Sequence, residues 1–166
     1  IVAMHQYGLM LFDGNGIEVS KEEAAKYFKK AADLGNVDSI KKYAQMLYKG
    51  NGIPMDKQLA AYFKLGAEKN DAFCMIYYAD MLFDGDGIEM SKKNAAEYYK
   101  IIADFGDNLS MCKYAKMLYK GNGIDANKEE AARLFKITAD LCDAESMFNY
   151  GEMLYEGEGI EMNKEE

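Results

Sequence analysis

The residues best suited to chemistry cluster at glycine turns. Asp13-Gly14-Asn15-Gly16-Ile17-Glu18 and Asp84-Gly85-Asp86-Gly87-Ile88-Glu89 put carboxylates and amides at alternate positions, as calcium loops do. With Asp13 as the first ligand, however, Ile17 falls on the fifth, ligand-bearing position and Glu18 takes the place where the sharp turn needs glycine. The spacing therefore argues against calcium. A Gly-x-Gly after an apolar segment also belongs to phosphate loops, but those need a preceding strand and either a third glycine or a Gly-Lys-[Ser/Thr], and none occurs. Cys74, Cys112 and Cys142 show no C-x-x-C spacing, and His5 is the single histidine, so no zinc site is expected. His5 lies in a helical segment with no Asp or Ser at the same phase elsewhere and only the isolated Cys112 among thiols, which predicts a surface histidine and not a catalyst. No catalytic residue, metal or cofactor is expected.

The glycines have a second property, their period. Ten of the 15 fall in five turns, Gly14/Gly16, Gly50/Gly52, Gly85/Gly87, Gly121/Gly123 and Gly157/Gly159, spaced by 36, 35, 36 and 36 residues. A fixed period of this size marks stacked supersecondary units. Before each turn, a Met column (Met4, Ile40, Met75, Met111, Met147), a Tyr column (Tyr7, Tyr43, Tyr78, Tyr114, Tyr150) and a Leu column (Leu11, Leu47, Leu82, Leu118, Leu154) recur at i, i+3, i+7. That spacing predicts a helix, termed helix A, with these columns in the core. The residue after each Tyr is Gly8, Ala44, Ala79, Ala115 or Gly151, small enough for a second helix to approach.

After each turn, Ser20, Asp56, Ser91, Asn127 and Asn163 are favourable N-caps and begin a second helix, helix B. Glu23 and Glu130, three residues past their caps, fit a capping box. Helix B carries alanines and the aromatic pairs Tyr27-Phe28, Tyr62-Phe63 and Tyr98-Tyr99, with Leu134-Phe135 in the fourth copy. It ends at Gly35, Asn70, Gly106 and Cys142; the first three suit a left-handed cap. The second unit is one residue short beside Pro54, which predicts a tightened turn there. One amphipathic helix pair cannot bury its own apolar face, so stacking of units must supply the core.

Tyr7-Gly8-Leu9-Met10-Leu11-Phe12-Asp13-Gly14-Asn15-Gly16-Ile17, followed by Ala24-Ala25-Lys26-Tyr27-Phe28-Lys29-Lys30-Ala31-Ala32-Asp33-Leu34-Gly35, resembles the Sel-one-like repeat, a relative of the tetratricopeptide repeat. The resemblance covers the whole chain. It implies an all-α, right-handed α/α superhelix (solenoid) of about four and a half units, 1–35, 36–70, 71–106, 107–142 and a partial 143–166. It further implies a non-enzymatic scaffold or adaptor for protein complexes, with helix A lining a concave groove.

Function is then expected in the helix A columns that vary while the frame stays constant. The column nine before the glycine reads His5, Lys41, Ile76, Cys112, Phe148; the next reads Gln6, Lys42, Tyr77, Lys113, Asn149; the column five before reads Leu9, Gln45, Asp80, Lys116, Glu152. From these, His5, Lys41, Gln45, Ile76, Tyr77, Asp80, Cys112, Lys113, Lys116, Phe148, Asn149 and Glu152 are the candidate groove for a peptide or helix of a partner protein. The column just before the glycine reads Asp13, Lys49, Asp84, Lys120, Glu156, so acidic units one, three and five alternate with basic units two and four, and pairing between neighbouring units is the competing reading.

With 20 basic and 28 acidic residues and a net charge of -8, the chain is not expected to bind nucleic acid. No apolar run reaches the roughly 18 residues of a membrane span. The odd cysteine count favours a reducing, cytoplasmic setting. Asn108-Leu109-Ser110, in a B-to-A connection, matches a glycosylation acceptor and keeps the ER lumen as the alternative. The chain opens Ile1-Val2-Ala3 within one helix A and closes just after a cap, so further repeats are expected at both ends. A repeat array inside a large assembly, or the regulatory part of a protein with an enzyme domain such as a kinase elsewhere, are the alternative roles.

Overall fold

A computed structural model of the chain describes residues 1–54, 58–141 and 143–160. Among the described residues there are nine helices and no strand: α1 (Val2–Asp13), α2 (Lys21–Asp33), α3 (Val37–Lys49), α4 (Leu59–Glu68), α5 (Ala72–Asp84), α6 (Lys92–Asp104), α7 (Asn108–Lys120), α8 (Lys128–Asp140) and α9 (Ala144–Glu156). Odd-numbered helices are the predicted A helices and even-numbered ones the B helices. They fall into two compact units, residues 1–78 and 79–166, divided within α5.

Local chemistry starts and stops each helix. The side chains of Ser20, Ser91 and Asn127 accept from the N–H three residues on, as expected for helix B. At the A-to-B turns, Gly14 and Gly121 take left-handed φ of 77° and 63°, which an L side chain adopts only with strain. The N–H groups of Ser20, Ser91 and Asn127 then donate back to the carbonyls of Leu11, Leu82 and Leu118, closing the turns. Gly35, Asn70 and Gly106 end helix B with positive φ, as predicted. The caps expected at Asp56 and Asn163, the residues that follow Pro54 in the expected tightened turn, and the helix end at Cys142 lie outside the described residues.

In residues 1–78 the core is Leu11, Leu47, Phe28 and Phe63, with Ala24, Ala25 and Ala44 between them. Gly8 lets α1 close on α2: a Cβ there would stand 2.8 Å from the Phe28 ring. In residues 79–160 the same roles fall to Leu82, Leu118, Tyr99 and Phe135, with Ala79, Ala115, Ala131 and Ala132. Each fully buried Phe contributes about 1.5–3 kcal/mol. Two members of the expected core columns do not follow: Tyr7 and Met147 are 40% and 48% exposed.

A recurring joint sets one repeat against the next. Lys21, Lys92 and Lys128, the first residues of their B helices, each lie over an aromatic ring of the preceding A helix, Phe12, Phe83 and Tyr119, at 5.7, 5.5 and 5.3 Å from the centroid. The second glycine of the next turn seats on the same lysine. A Cβ on Gly52 would meet Lys21 Cβ at 2.6 Å, one on Gly123 would meet Lys92 Cβ at 2.5 Å, and one on Gly159 would meet the Lys128 carbonyl carbon at 2.5 Å. These glycines are required by contact between repeats as well as by φ.

Candidate functional site

The varying A-helix columns separate into core and surface once folded. His5 is buried, not at the surface: its Nδ1 lies 2.8 Å from Ser39 Oγ and its ring 5.6 Å from that of Phe28. The reason is the next repeat, whose α3 covers that position. Cys112 is likewise buried, and burial raises its thiol pKa, so it lines no open groove. Tyr77 stacks on Phe63 at 5.1 Å and also meets Phe73 and Tyr48. It is half-buried in an aromatic cluster, as is Ile76 in its own surroundings. Lys41 lies 5.2 Å from the Phe73 centroid and 3.7 Å from Asp71, and Gln45 is half-buried. Asn149 donates to the Glu145 carbonyl at 2.8 Å; Phe148 and Glu152 are exposed.

Three of the predicted residues, Asp80, Lys113 and Lys116, do come together, in a cleft of about 320 Å³ between α5 and α7 over α6. Phe83, Tyr99 and Met117 provide its apolar lining; Asp84, Lys120 and Asn122 complete it. Asp80 Oδ1 accepts from the Tyr99 hydroxyl at 2.5 Å and from Lys113 Nζ at 2.5 Å. Lys113 Nζ also sits 5.3 Å from the Tyr99 centroid, while Lys116 pairs with Glu145. Burial, and then the bond to Asp80, raise the Tyr99 pKa, so its hydroxyl stays a neutral donor. Lys113 and Lys116 thus pair with neighbouring units, as the alternating charges suggested. Lys120, a turn beyond Lys116, extends exposed at the edge of the cleft.

From the sequence, Tyr99 is placed only in the aromatic pair of the third helix B, with no part in a site. The signal was present: in the second position of the aromatic pair the other repeats have Phe28, Phe63 and Phe135, and only the third has a hydroxyl, matched by Asp80 in a column where the others carry Leu9, Gln45, Lys116 and Glu152. The caps of the A helices were also missed. Asn36, Asp71, Asp107 and Asp143 each accept from the N–H three residues on, at 2.8, 2.9, 2.7 and 2.7 Å. An Asn or Asp directly after each helix B stop marked them. Asn108, expected in a connection, is instead the first residue of α7, and Ser110 of the same tripeptide is fully buried.

The model of the Sel1 repeat matches five times, over residues 1–36, 37–71, 72–107, 108–141 and 144–166. The chain belongs to the Sel1 repeat family. Among solved structures, a protective antigen of uropathogenic Escherichia coli displaying an SLR fold is 26% identical with a TM-score of 0.84, aligned over 98% of this chain and 35% of that one. A Sel1 repeat protein of Oxalobacter formigenes is 23% identical with a TM-score of 0.86, over 98% and 67%. Cysteine rich protein B of Helicobacter pylori shares the fold at 19% identity and a TM-score of 0.56, over 77% and 96%. The chain thus spans about a third of the length of the E. coli antigen. No curated protein matches it. The fold is an all-α Sel1 repeat solenoid. Sel1 repeat proteins generally mediate protein-protein interaction and are typically non-enzymatic scaffolds. Among the described residues no three His, Cys, Asp or Glu side chains group as metal ligands, and no helix is long and apolar enough to cross a membrane.

Proposed function

We propose that this Sel1 repeat chain is a non-enzymatic scaffold that holds another protein on its A helices, with an extended peptide or partner helix entering the cleft between α5 and α7. The observation that carries the reading is the Tyr99-Asp80-Lys113 network. It departs from the repeat frame, which packing alone explains, and it lines a concave space with apolar walls and a few convergent polar groups, the composition expected of a recognition site.

A photo-crosslinking residue placed at Lys120 should capture the partner, and the same residue at Lys93, exposed on α6 outside the cleft, should not. Adding Lys116→Glu should abolish the Lys120 crosslink while lowering the melting temperature by no more than about 4 °C, the cost of the lost pair with Glu145. Equal labelling at both positions, or a crosslink that survives Lys116→Glu, would overturn the cleft as the binding site.

A further inference from the structure

The connections from B to A helices in residues 79–160 go against local rules of stability in two ways at the same place. Phe105, directly after α6, is 80% exposed; Leu141, directly after α8, is 56% exposed; and Leu109, the second residue of α7, is 59% exposed. Beside them, α6 and α8 end on Asp104 and Asp140, at the negative pole of the helix dipole, with no basic residue in either last turn. The N-caps Asp107 and Asp143 add two more carboxylates, against Lys100 and Lys136 one turn back and Arg133 of α8, whose pKa is raised by its bond to Glu130 first and which the Asp104 charge helps to raise. Apolar exposure and unfavourable charge recurring together, one repeat apart, mark a surface kept for something other than stability.

The first unit shows what such a connection attracts. There the residue after α4 is Lys69, and its Nζ reaches back over the preceding connection, 3.6 Å from where a Cβ on Gly35 would stand. Asp33 and Leu34 flank that glycine. An ammonium on an aliphatic stem therefore stands over the glycine of the first unit's Asp-Leu-Gly connection, while Leu34 beside it stays 56% exposed. At Gly106, in the matching Asp-Phe-Gly connection, nothing lies within 4 Å of the same point.

We infer that Phe105, Leu109 and Leu141, with the carboxylates of Asp104, Asp107, Asp140 and Asp143, form a docking surface for a basic amphipathic helix of a partner protein. Its apolar side chains rest on Phe105, Leu109 and Leu141, and its lysines and arginines face Asp104, Asp107, Asp140 and Asp143, one of them standing over Gly106 as Lys69 stands over Gly35. The net charge of -8 steers such a partner inward and an acidic one away. None of these residues lines the α5–α7 cleft, so this surface is independent of the function proposed above.

The probe is a fluorescent peptide of about 18 residues, leucine and lysine patterned as an amphipathic helix, titrated by anisotropy against the purified chain. Phe105→Ser with Leu141→Ser leaves every charge in place and should weaken binding by ~10-fold or more. Asp104→Lys with Asp140→Lys should weaken it similarly and flatten its salt dependence. A scrambled peptide of the same composition should also bind ~10-fold more weakly, because it has no apolar face. All four positions are exposed, so unchanged thermal melts by circular dichroism confirm that the variants fold. Equal affinity of the Phe105→Ser, Leu141→Ser variant and the parent would reduce the effect to net charge and overturn the inference. Equal binding of the scrambled peptide would do the same. Sedimentation showing a dimer that Phe105→Ser dissolves would assign the surface to a second copy instead.

Discussion

A glycine that looks equivalent in every copy of the repeat has different neighbours in each. Gly16 and Gly123 are both second glycines of their turns, with φ of 79° and 85°. A Cβ on Gly16 meets nothing within 4 Å, whereas one on Gly123 would run into Lys92 Cβ at 2.5 Å and its carbonyl carbon at 2.7 Å. Gly16→Ala should cost only the left-handed strain, roughly 1–2 kcal/mol. Gly123→Ala should add the displacement of the α6 N-terminus, for a total of about 3–5 kcal/mol, in the range of severe core substitutions. Urea titrations of the two variants measure this directly; equal costs would mean that the joint between repeats yields. The type and period of both glycines are plain in the sequence. What lies beside each is not, because the neighbour belongs to another repeat. His5 and Cys112 were misplaced at the surface for the same reason, since a helical phase says which side chains share a face but not whether a later helix covers it.

At the level of the helix, the first two B helices are tied through one carboxylate. Asp33, the last residue of α2, accepts from Lys29 Nζ at 2.8 Å and from the Tyr62 hydroxyl of α4 at 2.7 Å. The bond from Lys29, with a smaller contribution from Tyr62, holds the Asp33 carboxyl below its ordinary value against an opposing push from burial. A depressed folded pKa means that the folded chain binds the proton less readily than the unfolded one. The stabilisation is therefore complete above the unfolded value of about 3.9 and fades as pH falls through the folded value. Asp33→Asn should lower the urea midpoint at about pH 6 and converge with the parent near pH 2; a constant gap across that window would show that Asp33 acts through shape and not through charge. Helix boundaries were read well from the sequence because caps and left-handed stops are local. The link between α2 and α4 was not, because it spans 29 residues and depends on how the two helices sit together.

Over the whole molecule, the 36-residue period should be a unit of tolerance as well as of description. Deleting residues 108–143 removes one A helix and one B helix and leaves the phase of lysine, aromatic ring and glycine intact. Such a variant should retain cooperative melting with a lower midpoint, because a repeat protein's stability is approximately a sum over units and their interfaces. Deleting residues 90–107 removes only α6 with its flanks and sets α5 directly before α7; it should lose cooperative melting. Circular dichroism on both separates the two outcomes, and equal behaviour would contradict the repeat as the unit of folding. By itself the sequence determined the period, the two helices per unit, most of their ends and the alanine and aromatic frame of the core, because each is written in spacings shorter than one repeat and governed by local geometry. Only the tertiary structure decided which varying columns stay open. Asp80, Tyr99 and Lys113 met in a cleft while His5 and Cys112 were covered, because burial and pairing are properties of side chains brought together from different repeats.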